Sequence, residues 1–539
     1  MKIQARHGSR YRCLVGNLAF LFAALLAVGS VEAQPFHRSY GRVDQFGGLT
    51  SVAPTQAPGA IASGYFNLDY TQGVLLKVQP DGTLAWVKAY GETLPSAVRQ
   101  TAAGTFVWTG IGHLGLPPRF APIVVEVDPT GAVLWSRAID FPLPDGTPAD
   151  QAYGRFLEID PKDGGYWIGG EIWRQAFTDS EPWVAKLDRS GTLLWAKIMS
   201  FPESARFLSI FPALDGGVIG VGQIWLKNAV GALESRMLAV KLQADGSLDW
   251  AFRHLVHNAD QGRSWQWLAD LDRDPRFTRK ESAVVGTVTN FCKSIPSVPC
   301  DPVRSAALVA TLDETTGMLT QSVGLFSLVQ PATSGETIAM DLTQEVNAVG
   351  GEVQGDELES REGLLTLLGA GNRVPRTAML YGDGSGPFAA DLGSLALYRN
   401  APDRGYLFLM NEIDWSAPSS TLRRDLVQTD LAGKSGACES KTAVATFEAY
   451  LDRFGVQPAP RDGKQAEISL EAVPAEIPDE PCKSCPPERG ARTEQSTKPG
   501  ASASKAFPTT LLPGIPGAPE GRRADTPLLV LPLKPGVEK

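Results

Sequence analysis

Apolar and polar positions alternate along much of this chain in short runs, broken at near-regular intervals by Asp, Asn and Gly. Residues 74–88 read as an alternating strand, a tight turn at Asp81-Gly82 and a second alternating strand carrying Trp86. The same order returns at 124–135, 184–195 and 239–250, each time with a tryptophan (Trp135, Trp195, Trp250) after the turn. Weaker copies stand at 308–319, 364–374 and 426–433, where the tryptophan is lost. Alternation presents one face of each strand to a core and the other to solvent. Glycine supplies the positive φ that a hairpin turn demands, and Asp or Asn tolerates that region better than other residues.

A glycine-bearing strand precedes each hairpin, at 59–64, 104–110, 164–170, 216–222, 282–286, 346–351 and 405–410. A further strand precedes several of these, as at 156–159 and 207–210. Four strands per repeat and seven repeats predict an all-β fold, a seven-bladed β-propeller of four-stranded antiparallel blades over residues 34–440. A ring of sheets leaves two edges unless its ends are joined. Residues 36–41 resemble the outer strand 86–91 and are predicted to supply the outermost strand of the final blade, near 426–440; the alternative is that 440–447 does so.

The two ends of the chain read differently. Lys2, Arg6, Arg10 and Arg12 precede an apolar run at 18–28 and then Val31-Glu32-Ala33, the order of a secretory signal peptide over 1–33, cut between Ala33 and Gln34. The run is shorter than the roughly 20 residues a membrane span needs, and no later stretch is long and apolar enough, so no membrane span is expected after cleavage. That places the protein outside the cytoplasm, in a periplasm, at a cell surface or beyond it. Residues 441–458 are expected to form a short element packing on the last blade. From about Ala459 the composition turns to Pro, Ala, Gly, Glu and Ser, and 459–539 reads as a largely disordered tail. The formal charge of −9 becomes −12 without the leader. An acidic chain with no basic cluster is a poor nucleic-acid binder.

The unit with Lys before the turn, Asp and Gly at it, and Leu-x-Trp after it resembles the secreted bacterial β-propeller repeats. The resemblance covers residues 35–440 and is clearest over the first four repeats. It implies a fold and an extracytoplasmic setting, and no reaction. Asp128-Pro129-Thr130-Gly131-Ala132-Val133-Leu134-Trp135 is also similar to the repeat of quinoprotein dehydrogenases and of the propeller lipoprotein of the outer-membrane β-barrel assembly machinery, one residue short before the threonine. In those proteins the tryptophan docks one blade onto the next. A quinone enzyme would also bring a calcium site and usually a vicinal disulfide, and this chain has no adjacent cysteines.

Candidate chemistry is sparse. Cys292 and Cys300 bracket seven residues of a long loop in the fifth repeat, and a local disulfide is the natural reading in an oxidising compartment. Cys482 and Cys485 form a CxxC between Pro481 and Pro486; with no helix following and no second pair, a tail disulfide, with Cys438 as a further partner, is favoured over a redox or zinc site. His254 and His257 resemble half of a metal site, at a spacing that could share a helix face, but the segment follows a strand and no acidic third ligand is assignable, so a surface or loop role is favoured. Asp270, Asp272, Asp274 and Glu281 fall at positions 1, 3, 5 and 12 of a calcium loop, yet Pro275 stands where that loop needs glycine, and a solvated turn is the plainer reading. Beyond that calcium candidate no cofactor is expected.

Trp173, Trp225, Trp265, Trp267 and Trp415 lie off the repeat register and are the candidates for a ligand-holding rim, with core packing as the default. No catalytic motif of the nucleophile-elbow, zinc-helix or phosphate-loop kind is present. The expectation is a non-catalytic module that binds an envelope protein or a glycan. The alternative is an enzyme on the same scaffold, a glycoside hydrolase or a quinoprotein dehydrogenase. A third reading is an envelope scaffold whose tail recruits a partner.

Overall fold

The computed structural model describes residues 35–481 apart from 41–46, 67–71, 115–118, 143–148, 150, 176–178, 228–232, 257–264, 274–277, 290–304, 328–331, 342–345, 355–360, 370–374, 382–387, 398–404, 415–420, 436–438, 442–443, 449–450, 463, 468–472 and 475–478. The alternating runs fold as strands, and among the described residues there is no helix. β1 (Phe36–Tyr40) comes first in the chain. Antiparallel meanders of four follow: β2–β5 (Gly47–Pro54, Ala60–Phe66, Gly73–Val78, Leu84–Ala89) and β6–β9 (Thr93–Gln100, Phe106–Leu114, Arg119–Val127, Val133–Asp140). Next are β10–β13 (Gln151–Ile159, Tyr166–Gln175, Asp179–Leu187, Leu193–Ser200) and β14–β17 (Ala205–Pro212, Val218–Lys227, Leu233–Leu242, Leu248–Val256). Then come β18–β21 (Gln266–Asp272, Glu281–Thr289, Ser305–Asp313, Leu319–Ser327), the two-residue β22 (Ala332–Thr333) and β23–β26 (Thr337–Asp341, Val346–Gln354, Arg361–Gly369, Pro375–Tyr381).

The final meander, β27–β29 (Phe388–Leu397, Tyr406–Asp414, Thr421–Gln428), has three strands of its own. β1 supplies the fourth, antiparallel to β29, with Phe36 opposite Gln428 and Ser39 opposite Asp425. The buried Asp425 carboxylate fixes that register, bonding His37 Nε2 at 2.6 Å and accepting from Ser39 Oγ at 2.5 Å. The N-terminal strand therefore closes the sheet that the chain's last hairpin begins. The first strands of the meanders also touch in order, β2 with β6, β6 with β10, β10 with β14, β14 with β18, β18 with β23 and β23 with β27, and β27 returns to β2. A closed ring of antiparallel meanders about an axis is a β-propeller, and each meander is a blade.

The blades are joined by the turn the sequence repeats. In one copy Asp128 Oδ1 accepts from Thr130 N at 2.8 Å, Thr130 Oγ1 at 2.6 Å and Ala132 N at 3.0 Å, while Gly131 takes φ +86°. Asp188 and Gly191 repeat the arrangement. The outer strand of the preceding blade lies against this turn. Trp86 Nε1 donates to Pro129 O at 3.0 Å and Tyr90 OH to Gly131 O at 2.9 Å. Trp195 donates to Ala244 O, Trp250 to Glu314 O, and Tyr40 to Gly82 O across the closing junction. The turn glycine thus answers two demands, a left-handed backbone and a missing side chain. A methyl group on Gly191 would lie 2.7 Å from the Trp135 ring.

After β29 the chain runs back around the ring. β30 (Glu439–Lys441) pairs with β26, β31 (Val444–Glu448) with β21, β32 (Leu451–Gly455) with β17, and β33 (Ala459–Asp462) with β13. β34 (Lys464–Glu467) then pairs with β9, β35 (Val473–Pro474) with β5, and β36 (Asp479–Pro481) with β1. Every pairing is antiparallel and adds a fifth strand to a blade's outer edge, so 439–481 form a belt. Side chains anchor it as well, Arg453 donating to Thr316 O and Gln465 accepting from Leu193 N at 2.9 Å. Arg461 pairs with the buried Glu181 and Lys197 with Asp462 at 2.5 Å.

This corrects the reading of 441–458 as one element on the last blade: Lys441 ends the strand that edges the 337–381 blade, 444–448 edge the 266–327 blade and 451–455 the 205–256 blade. It also corrects the disordered reading for 459–462, 464–467, 473–474 and 479–481, which are strands; 482–539 lie outside the described residues. The physical reason is that an edge strand offers a row of unpaired N–H and C=O groups. Main-chain pairing needs no apolar side chain, and composition is blind to it.

Two predictions follow from the turn and the belt. Gly191→Ala should lower the melting temperature more than Gly104→Ala. Both residues have positive φ, which costs about 1–2 kcal/mol for an L-residue, but the space at Gly104 is open to 4.0 Å. Equal losses would show that backbone strain alone matters there. Ending the chain after Ser435 should lower the melting temperature and cause concentration-dependent association in size-exclusion chromatography, because the outer edges lose their cover.

Candidate functional site

The strand register places three of the off-register tryptophans at one end of the barrel-like ring, opposite the Asp-Gly turns. Trp173 lies near the end of β11, opposite Gln151 at the start of β10. Trp225 lies near the end of β15, and Trp265 directly precedes β18. All three are half-buried. Trp267, two residues on, is only 2 % exposed within β18, which removes it from the rim. Trp415 lies outside the described residues, as do Cys292, Cys300, Cys438, Cys482 and Cys485.

Beneath these rings the first strands carry charge toward the axis. A bulge between Gly154 and Phe156 turns Arg155 out of the ladder, and bulges re-aim side chains in this way. Its guanidinium bonds Glu171 Oε1 at 3.2 and 2.9 Å and lies 5.0 Å from the centre of the Tyr153 ring. Glu171 Oε2 is buried without a hydrogen-bond partner among the described residues. Arg206 on the next blade is 3 % exposed; Gln223, with its amide oriented to accept, takes its Nε and Nη2 at 2.6 Å each. The Trp225 ring covers it at 5.2 Å. Burial pulls the Arg206 pKa below its ordinary value, Glu171 opposes that, and Arg155 adds to it.

Deeper along the axis Arg99 Nε donates to Glu158 Oε1 at 3.1 Å. Burial disfavours the Arg99 charge, but Glu158, with Asp270 and Asp272 behind it, reverses this and holds its pKa above the usual value. Asp270 and Asp272, the first two positions of the calcium candidate, stand on β18, two residues apart and so on one face. Asp270 accepts from Ser209 Oγ at 2.7 Å, Thr337 Oγ1 at 3.0 Å and Ile338 N at 3.1 Å. Asp272 accepts from Met340 N at 2.8 Å. These carboxylates tie the first strands of three blades together, satisfying main-chain donors that no neighbouring strand reaches. Asp274 lies outside the described residues, and Glu281 opens β19 opposite Asp313. Among the described residues no group of three or more His, Cys, Asp or Glu is gathered as metal ligands would be.

His254 sits in β17, 1 % exposed, with Nε2 lacking a hydrogen-bond partner among the described residues; His257 is outside them. The sequence reading passed over Arg99, Arg155, Arg206, Glu158 and Glu171. Their signal was a charged residue inside an otherwise buried strand, which carries meaning only once the ring brings their three blades to one axis.

No family model matches the chain, and no curated protein matches it. Among solved structures it is similar to the polysaccharide lyase Uly1, with TM-score 0.40 and 8 % identity over 71 % of this chain and 90 % of that one. It is also similar to the Dos1 propeller, with TM-score 0.37 and 10 % identity over 74 % of this chain and 95 % of that one. At such scores neither likeness bears on what this chain binds.

Burial raises the Asp270 pKa to about 6, its hydrogen bonds opposing the rise and Asp272 adding to it. The folded protein therefore keeps a proton that the unfolded chain has lost between about pH 4 and 6, and this site's contribution falls as pH rises through that window. His254 acts oppositely: burial, then Arg453, lowers its pKa to about 3, so its contribution rises with pH between about 3 and 6.5. Asp270→Asn should remove the first dependence alone. In urea unfolding its stability relative to wild type should improve by about 2–3 kcal/mol from pH 4 to pH 7, a two-unit shift corresponding to about 2.7 kcal/mol. A difference that does not change with pH would contradict the assignment.

Proposed function

We propose that this protein is an exported, non-catalytic β-propeller of seven blades that binds an envelope protein or a glycan at the end of the axis bearing Trp173, Trp225 and Trp265. The observation that carries the reading is the set of half-buried indoles at that end, above Arg155, Glu171 and Arg206. Indole faces suit sugar rings and apolar peptide side chains, and charged groups below them supply orientation. The axial groups favour binding over reaction: Arg155 is matched to Glu171, Arg99 to Glu158, and both oxygens of Asp270 are occupied by structural donors. The alternative is a glycoside hydrolase or quinoprotein dehydrogenase on the same scaffold. Export rests on the 1–33 leader, and sequencing of the mature N-terminus should begin at Gln34. In the same compartment the Cys292–Cys300 and Cys482–Cys485 pairs are oxidised, which non-reducing peptide mapping reads directly.

The test of the rim is the double substitution Trp173→Ala and Trp225→Ala. Capture of the partner from envelope extracts, or binding on a glycan array, should weaken at least tenfold while the circular dichroism of the fold is unchanged. Undiminished capture would remove the rim reading. Hydrolytic turnover lost on a single carboxylate substitution, or a quinone absorption band in the purified protein, would establish the enzyme alternative.

A further inference from the structure

One lysine of the repeat lacks the partners its counterparts have. Lys77, Lys186 and Lys241 stand on the third strands of three blades, each opposite the repeat tryptophan, Trp86, Trp195 or Trp250. Lys186 Nζ pairs with Asp160 at 2.5 Å and with Asp163 at 3.1 Å. Lys241 Nζ pairs with Asp215 at 2.5 Å and with Asp249 at 3.0 Å. The repeat shows which residues fill those acidic positions around Lys77. Thr55 opens its turn as Asp160 does, each bonding through its N–H to a glycine carbonyl, Gly59 or Gly165. Ala57 lies two residues before its glycine, as Asp163 and Asp215 do, and Ala85 precedes Trp86 as Asp249 precedes Trp250. None of the three is acidic. Lys77 Nζ donates to Thr55 Oγ1 at 2.8 Å and lies 5.5 Å from the centre of the Phe106 ring. Among the described residues no carboxylate pairs with it. Lys186 and Lys241 are buried, whereas Lys77 is half-buried. Its main chain lies between Ile61 and Trp86 on the two neighbouring strands, so the exposed part is the side chain.

We propose that Lys77 is an acyl-acceptor site, modified at Nζ by a small acyl phosphate. An ammonium taken partly out of water without a carboxylate loses hydration that nothing replaces, and burial accordingly lowers the Lys77 pKa to about 8. The uncharged amine attacks the carbonyl carbon through its lone pair, and a C–N bond forms. The bond from that carbon to the phosphate oxygen breaks, its electron pair leaves with the phosphate, and the surplus Nζ proton passes to solvent. Thr55 holds the amine for this step. Its own proton goes to Ala57 O at 2.6 Å, so its oxygen accepts one Nζ–H and leaves the lone pair free. The same commitment leaves no proton donor bonded to Nζ that could expel water from an aldehyde adduct, which favours acyl transfer over imine formation. The amide product keeps the bond to Thr55 and carries no charge. Modification here removes an unpaired ammonium, whereas at Lys186 it would strand the buried Asp160.

The probe is acetyl phosphate, incubated with the full-length protein at pH 7.5, with the acetylation rate of each lysine read by peptide mass spectrometry. About a quarter of Lys77 is uncharged at that pH, against about one in a thousand for an ordinary lysine. The weaker nucleophilicity of a less basic amine offsets only part of this difference. Lys77 should react at least tenfold faster than the exposed Lys227, and its rate should level off above pH 8 while that of Lys227 still climbs at pH 9.5. Thr55→Asp places a carboxylate where Asp160 stands in its blade and should slow Lys77 at least tenfold. Lys77→Gln, which copies the uncharged product, should leave the melting temperature unchanged where Lys186→Gln lowers it. The comparison of Lys77 with Lys227 on the unaltered protein stands even if a variant fails to fold. Equal rates for the two lysines at pH 7.5, parallel rate profiles through pH 9.5, or undiminished reactivity in a folded Thr55→Asp protein would each overturn the proposal. So would equal destabilisation by Lys77→Gln and Lys186→Gln. Lys77 stands beside the Asp81-Gly82 turn, at the end opposite Trp173, Trp225 and Trp265, so the rim reading stands or falls separately.

Discussion

The contact on which this architecture depends is the docking of one blade's outer strand against the glycine turn of the next. Separate four-stranded meanders have no reason to stand in a ring unless each recognises its neighbour. Here a tryptophan or tyrosine on the outer strand donates to a carbonyl of the following turn, as Trp86 does to Pro129 and Tyr90 to Gly131. The ring can approach only because the turn residue has no side chain. The geometry is reproduced at the closing junction, where Tyr40 from the N-terminal strand meets Gly82 of the first complete blade. One local motif therefore shapes the hairpin and sets its position relative to the next.

Edges are the complementary problem. Around the axis, first strands have one side unpaired, and Asp270 and Asp272 reach the main-chain N–H groups of Ile338 and Met340 on the next blade. Burying charge is tolerated because each carboxylate receives donors and each axial guanidinium has an acceptor. At the periphery the outer strands are covered by the belt, held by main-chain hydrogen bonding and by Arg461, which pairs with the buried Glu181. Much of its β33 is exposed, so it belongs to the low-stability end of the molecule, where local opening precedes global unfolding.

What could be read along the chain is what is local. Strand alternation, the Asp and Gly of each turn and the recurrent tryptophan all act within a dozen residues, and their repetition implies a ring. The closing strand was also legible, because Phe36 to Tyr40 copy an outer strand in pattern and so must find the same kind of neighbour. The candidate site was only partly legible. Trp173, Trp225 and Trp265 announce themselves by leaving the repeat register, and Trp267 did so as well yet is buried. Exposure depends on which face of β18 meets the neighbouring blade, and period-two alternation does not say which face that is.

By itself the sequence determined the all-β class, the turn chemistry, the blade repeat and the identity of the strand that closes it, because each is encoded in short-range periodicity and in the special backbone freedom of glycine. Only the tertiary structure decided that Asp270 and Asp272 are inter-strand ties, that Arg155, Arg206 and Arg99 share an axis, and that a segment poor in apolar residues encircles the blades. Those outcomes depend on main-chain groups and charges brought together across hundreds of residues. Which edge is left unpaired, and which carboxylate is near enough to serve it, is a property of the closed ring.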